Sequence, residues 1–358
     1  MAATSFQGSV TALLLYDVSD AISLTDLKAL IGGRQLTPAF KPSTPPFVRF
    51  EKPPVIESLG PVQLEASEQF ECTMQYYDYG VVSVLLQRPF CGDWSDLRQL
   101  SARWMSSAVF EEVASRLVRQ RLASLGTALR NPYANWGTED YYVFQLFPYK
   151  DLNAGNVVSL YGREISQIIS GETEPLSPDE AKEALEACAS YYANDLTVAG
   201  WNAAFIYDTE SGAVATIHLL EYANSQLLQF RHYDDLLTRE LDDVYSFLEA
   251  RRGRIARWRM RPRANRLQTV VLDVTQLTEH TNNALKFVGD VYSARLYKLC
   301  ASKIGVVEYQ ELVREKLRTA GELYSFMIDQ FQESRGFLLE VAVVIILLIE
   351  LAFLFRGR

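Results

Sequence analysis

Eight arginines occur in the segment R-R-G-R-I-A-R-W-R-M-R-P-R-A-N-R, between positions 251 and 266, and this segment contains no acid. With Trp258 and Met260 interleaved, the segment could bind the phosphates of RNA or of lipid head groups. The alternative is a solvated helix end and loop whose first arginines complement the helix dipole. Both interpretations stay open. The candidate phosphate-binding residues are Arg251, Arg252, Arg254, Arg257, Arg259, Arg261, Arg263 and Arg266.

An aspartate interrupts an otherwise apolar seam further upstream. Asp234 occupies one position of a three- and four-residue spacing that is typical of a coiled coil. If two helices fold back about a point near residue 260, Asp234 lies level with Lys286. A buried ion pair between them would fix the register of this hairpin. A catalytic acid–lysine couple is the alternative, but the neighbouring sequence supplies no nucleophile, metal set or oxyanion donor.

Two acids, Glu340 and Glu350, lie in the most apolar run of the chain, from Phe337 to Phe355. As a helix this run would be about 28 Å long, close to the hydrocarbon thickness of a bilayer. Its apolar residues outweigh the insertion cost of two acids near its ends, so we expect a transmembrane helix. The alternative is a buried helix of a soluble protein. Glu350 lies nearly opposite the apolar seam, which indicates neighbours on several sides, most simply other copies of the chain.

Sequence motifs of enzymes and cofactor sites are absent. There is no glycine-rich phosphate loop, G-x-S-x-G or H-E-x-x-H motif, and the three histidines are scattered. The four cysteines lack the C-x-x-C spacing of metal and redox sites. We therefore predict no catalytic, cofactor-binding or metal-binding residues, no cofactor, and no small-molecule substrate. The net charge of -9 argues against binding nucleic acid over the whole surface, but it does not exclude a local basic site.

The elements that would position these residues fall into three regions. Residues 1–210 alternate strand-like and helix-like segments without a regular βαβ period, which predicts an α+β domain. A hairpin is expected across D-Y-G, between Phe70–Tyr77 and Val81–Gln87.

Residues 211–335 carry heptad seams, which predict a long helical hairpin or coiled-coil stalk. We expect its second helix to run from about Val274 to Lys303. A third helix is expected to continue from Val306 into residues 336–358, the predicted membrane anchor.

Three segments resemble one known family. The tail L-E-V-A-V-V-I-I-L-L-I-E-L-A-F is similar to the closing signature of the Rmd/Sif ("required for meiotic nuclear division") family. The stretches L-L-E-Y-A-N-S-Q-L-L-Q-F-R-H-Y-D-D-L-L and L-T-E-H-T-N-N-A-L-K-F-V-G-D-V-Y-S-A-R-L-Y resemble successive helices of its bacterial members. The resemblance covers about residues 212 to 355. It implies a C-terminally anchored membrane protein that self-associates and has no established catalytic activity.

The sequence and the resemblance together predict a non-enzymatic, self-associating scaffold of the bacterial inner membrane. A single C-terminal helix would anchor it, with most of the chain in the cytoplasm, because the N-terminus resembles neither a signal peptide nor a transit peptide. The scaffold would present its α+β domain to a protein partner. The alternative is a membrane tether for RNA or ribosomes that acts through residues 251–266.

Overall fold

The structure is a computed structural model that describes residues 5–32, 35–36, 48–50, 53–64, 68–149, 152–249, 260–283, 285–287 and 291–356. The strands are β1 (Phe6–Ile22), β2 (Gln35–Leu36), β3 (Val48–Phe50), β4 (Val55–Gln63), β5 (Gln69–Tyr76), β6 (Val81–Gly92), β7 (Leu129–Leu146), β8 (Cys188–Ala189), β9 (Leu196–Ala199), β10 (Ala203–Tyr207) and β11 (Leu285–Phe287). The helices are α1 (Leu24–Ile31), α2 (Trp94–Met105), α3 (Val109–Leu125), α4 (Ala154–Ser170), α5 (Pro178–Ala184), α6 (Glu210–Glu249), α7 (Met260–Asn283), α8 (Val291–Ile304) and α9 (Val306–Arg356).

Local sequence accounts for where several helices begin and end. Asp93 and Asp96 form a reciprocal capping box at the start of α2. The Asn153 side chain accepts from the backbone N–H of Asn156 at the start of α4. Gly171 ends α4 at φ 70°, a left-handed conformation that glycine adopts without a steric penalty.

Strand β1 lies near the middle of a sheet of nine strands in the order β2-β4-β5-β6-β1-β7-β10-β9-β8. It pairs antiparallel with β6 on one side and with β7 on the other. The hairpin expected across D-Y-G is confirmed, because β5 pairs antiparallel with β6. Gly80 turns this hairpin at φ 91°, where a Cβ would lie 1.7 Å from the backbone oxygen of Ser19. Only glycine fits that approach.

The two faces of this sheet differ in chemistry. Even-numbered residues of β1, including Val10, Leu14 and Tyr16, join an apolar core with α2, α3 and α4. Odd-numbered residues point to the other face because side chains alternate along a strand. That face bears the first part of α6, where Asp17 of β1 accepts a hydrogen bond from Gln229. The predicted α+β architecture of the N-terminal region is therefore confirmed.

Backbone contacts divide the chain into two compact units. The first contains Met1–Arg231 and His280–Tyr309, and the second contains His232–Glu279 and Gln310–Arg358. In the second unit, buried residues of α6, α7 and α9 form a small apolar core. These residues are Leu241, Val244, Ala264, Leu267, Ala320 and Met327.

The long last helix is confirmed, but the second predicted helix is not continuous. Helix α9 runs unbroken from Val306 to Arg356. Between α7 and α8, Leu285–Phe287 form strand β11, which pairs antiparallel with β3. Sheet pairing with a strand more than 200 residues away overrides the helical spacing that includes Leu285, which is a local signal.

The predicted transmembrane helix is wrong. Among the residues that the structure describes, no helix combines the length and the apolarity needed to cross a membrane. The membrane anchor and the membrane localisation, which depended on this helix, are corrected with it.

Candidate functional site

Two of the eight candidate arginines have described side chains, and both contact α6 within the second unit. Arg263 donates to the backbone oxygen of Asp243 at 3.2 Å, and its guanidinium lies 4.4 Å from the ring centre of Phe247. Arg266 forms an ion pair with Glu240. These contacts hold α7 against α6 by charge and by cation–π attraction.

The other six candidate arginines lie at least partly outside the described part of the chain. Arg251, Arg252, Arg254, Arg257 and Arg259 fall between the described residues 249 and 260. Arg261 lies in α7, but its side chain is not described. Binding of phosphate by this segment therefore stays a prediction.

Asp234 has a structural partner that the sequence did not indicate. The Lys316 ammonium of α9 lies 2.5 Å from Asp234 Oδ1 and donates to Thr238 Oγ1 at 2.6 Å. Lys286 lies in β11 opposite Arg49, and its side chain is outside the described part, so its pairing with Asp234 remains a prediction. Asp234 therefore makes an ionic contact between helices α6 and α9.

The end of α9 exposes a continuous apolar segment. Every residue from Val343 to Ile349, and Leu351 as well, is apolar and between 50% and 59% exposed. Glu350 is also exposed, whereas the side chain of Glu340 falls outside the described residues. Seven consecutive helical residues cover nearly two turns, so apolar side chains point in all directions around the helix axis. We call residues 343–351 the apolar tail.

A buried polar layer lies between the sheet and α6 in the first unit. Glu221 of α6 is fully buried, and its Oε2 accepts from Gln75 Nε2 at 2.8 Å. His218 Nδ1 lies 3.3 Å from the same oxygen. One turn along α6, Ser225 shares a 2.7 Å hydrogen bond with the Tyr79 hydroxyl. One turn further, Gln229 donates to Asp17 Oδ1 at 2.8 Å.

The protonation of the two tyrosines in this layer follows from burial. Burial first, and the Glu221 carboxylate second, raise the pKa of Tyr77 well above its ordinary value. Burial also raises the pKa of Tyr79. Both phenols therefore keep their protons, and Tyr77 can donate to Glu221. The layer provides hydrogen bonds for buried acids and so holds α6 on the sheet.

Sequence reasoning missed this layer, although a signal was present. Glu221, Ser225 and Gln229 recur every four residues and therefore share one face of α6. The apolar seam of Leu220 and Leu227 occupies another face and is also buried. A helix that carries both an apolar seam and a regular polar face can be buried on both, provided that the partner strand offers matching polar side chains.

One acid of the first unit is expected to titrate near neutral pH. Glu139 of β7 forms an ion pair with Arg231, whose guanidinium also lies 5.2 Å from the ring centre of Tyr309. Burial raises the pKa of Glu139 to about 7, the Asp140 charge adds to this rise, and Arg231 partly offsets it. The folded state therefore binds this proton more tightly than the unfolded chain does.

We expect the stability of the protein to fall between about pH 5 and pH 8, and Glu139→Gln to reduce this fall. The contribution of Glu139 is complete below its ordinary pKa and is lost as the pH rises through about 7. The unmodified protein should lose about 1–2 kcal/mol more than the variant over this range. Urea unfolding midpoints measured across the range test this. Parallel pH profiles for the two proteins would show that Glu139 does not titrate there.

Metal binding has no structural support within the described ranges, where no three His, Cys, Asp or Glu side chains are arranged to hold an ion.

The family described as "Uncharacterized protein MJ0711, N-terminal domain" matches residues 7–213. No curated protein and no solved structure matches the chain. The family match extends from β1 to the start of α6 and covers more than half of the 358 residues. The chain therefore belongs to the family of the uncharacterized protein MJ0711 N-terminal domain.

Proposed function

We propose that this protein is a non-enzymatic scaffold that self-associates through its C-terminal helix and presents its α+β domain to a partner. The observation that carries the proposal is the apolar tail. Its eight exposed apolar side chains present on the order of several hundred Å² of apolar surface to water. Covering such a surface contributes on the order of 10 kcal/mol before the entropic cost of association is subtracted.

The spacing of apolar residues along α9 favours a second copy of the chain as the covering partner. Val313, Ala320 and Met327 recur every seven residues and are fully buried, and Ala320 and Met327 belong to the core of the second unit. Leu348 continues the same register, yet it is 59% exposed. A seam that forms helix contacts at one end and is exposed at the other suits pairing with an identical helix, because identical helices present matching seams.

Apolar residues on all sides of the tail favour more than one neighbouring helix. A helix that is apolar on all sides is normally buried on all sides. Pairing with one copy would cover only the side that carries Ile345 and Leu348. The exposed residues on the other sides, such as Val344 and Ile346, favour an assembly in which each tail contacts at least two others.

The contacts of Arg263 and Arg266 weigh against the alternative, a tether for RNA or ribosomes. Both guanidinium groups bind α6, where Glu240 and Phe247 engage them. The alternative therefore depends on the arginines from 251 to 261. The resemblance to the Rmd/Sif family is compatible with self-association and stays a prediction.

Co-purification of two differently tagged copies tests the proposal. The copies are expressed together, treated with nuclease, and purified through the first tag in a buffer without denaturant. We expect the second tag to co-purify. Absence of the second tag would overturn self-association. Its loss only after nuclease treatment would favour the RNA tether instead.

A further inference from the structure

The first unit contains a cleft of about 790 Å³, within the usual size range of ligand sites. The end of α4, helix α5, the turn between β9 and β10, helix α8 and the start of α9 form its walls. Ile169, Met105 and Leu299 supply apolar surface inside it. This cleft lies on the sheet domain that the proposed scaffold would present.

Trp201 stands in this cleft as an exposed aromatic residue held by a rigid turn. Its side chain is 53% exposed. The preceding Gly200 donates its N–H to Ala203 O at 2.7 Å and accepts from the Tyr141 hydroxyl at 3.1 Å. The indole lies against Gly305, where a Cβ would be 3.0 Å from the ring at φ 95°. An exposed indole in a fixed position is suited to stacking on a ligand.

The polar lining of the cleft is strongly acidic. Among the described residues that line it, Glu180, Glu183, Glu186 and Glu308 contribute four carboxylates, and Lys303 contributes the one cation. The Lys303 ammonium lies 3.8 Å from Glu183 Oε1. Within the described residues, no ion pair involves the other three carboxylates. The cleft therefore favours a ligand with several positive charges.

We propose that this cleft binds an arginine-rich segment of a protein partner. A guanidinium group stacks on an indole and forms paired hydrogen bonds with a carboxylate, so one side chain can use both features of the cleft. The methylene stem of arginine suits the apolar surface of Met105 and Leu299. Successive glutamates at three-residue spacing on and after α5 match a ligand with repeated charges. The same charges repel RNA and lipid phosphates.

This inference rests on the proposed scaffold role, because it describes the chemistry of the partner to which the scaffold would present its α+β domain. Fluorescence anisotropy of labelled hexa-arginine, added to the full chain, measures the binding. Labelled hexa-lysine serves as the comparison, since it has the same charge without the planar group. We expect hexa-arginine to bind at least about fivefold more tightly than hexa-lysine.

Three variants locate the binding. Glu180→Gln with Glu186→Gln should weaken hexa-arginine binding about tenfold, and Trp201→Ala about threefold. The control, Glu71→Gln with Glu112→Gln, removes the same charge from exposed positions outside the cleft and should change binding less than about twofold.

If both double variants weakened hexa-arginine binding equally, the binding would be due to general charge attraction, and the inference would be overturned. Equal binding of the two peptides, or no effect of Trp201→Ala, would overturn it as well. A chain that self-associates but fails these tests contradicts the inference alone. A monomeric chain whose cleft still binds hexa-arginine contradicts self-association alone.

Discussion

Replacing Ile345 and Leu348 together by Asp is expected to weaken self-association by at least about a hundredfold. Both residues lie in the apolar tail, on the seam that continues from the core of the second unit. Association would bring each new carboxylate from water into apolar contact, which costs several kcal/mol. The two side chains are half-exposed, so the helix itself should form in the variant. Light scattering over a concentration series measures the change.

Leu312→Asp with Phe326→Asp is the matched control. It adds the same two charges to α9 at apolar positions that are 45% and 49% exposed and lie upstream of the tail. We expect this control to associate like the unmodified chain. Equal association of all three proteins would show that the tail makes no contact between copies. Equal loss in both variants would assign the effect to charge rather than to the seam.

The second large effect is expected from Arg121→Met in the first unit, which should lower the free energy of unfolding by about 3 kcal/mol. Arg121 of α3 donates to the Glu57 carboxylate through Nε at 2.7 Å, and its Nη2 lies 2.6 Å from the other carboxylate oxygen. The Glu57 side chain is fully buried. Removal of the guanidinium takes the Arg121 charge away from a buried carboxylate, to which the Tyr76 hydroxyl still donates.

A double variant separates this charge effect from packing. Glu57→Met with Arg121→Met removes both charges, so it should be less destabilised than Arg121→Met alone, by about 1–2 kcal/mol. The remaining cost comes from the Tyr76 hydroxyl, which loses its acceptor. Urea unfolding of the three proteins provides the comparison. A double variant as unstable as the single one would show that packing of the arginine stem, not the buried acid, sets the cost.

Local sequence patterns predicted the regular elements well where contacts between residues close in sequence determine the structure. The hairpin at Gly80 follows from a turn sequence between two apolar runs, and strand pairing confirms it. The continuity of α9 follows from its uninterrupted seam. The seam also predicted buried positions in α6, such as Leu237 and Leu241.

Contacts between distant segments could not be predicted in this way. Strand β11 exists because β3 pairs with it, and nothing in the local sequence around Leu285 indicates that partner. The partner of Asp234 is Lys316, which lies in a helix that the hairpin hypothesis did not place beside it. The buried polar layer likewise depends on Gln75 and Glu221, whose positions in the sequence are far apart.

For the apolar tail, composition led to the wrong prediction of a membrane helix. The run around Glu350 is apolar enough to suggest a membrane helix, yet no described helix meets the requirements for crossing a bilayer. What remains informative is the exposure of residues 343–349. Apolarity predicts that a surface will be covered, but it does not identify the partner that covers it.

Sedimentation equilibrium of the full chain, treated with nuclease and measured without detergent or denaturant, tests the central claim most directly. A single chain has a mass of 40.6 kDa. The proposed scaffold predicts a mass that rises with concentration to a fixed multiple of this value. Because the tail is apolar on all sides, we expect a multiple of at least three. A mass of 40.6 kDa at every concentration would contradict self-association and the scaffold role.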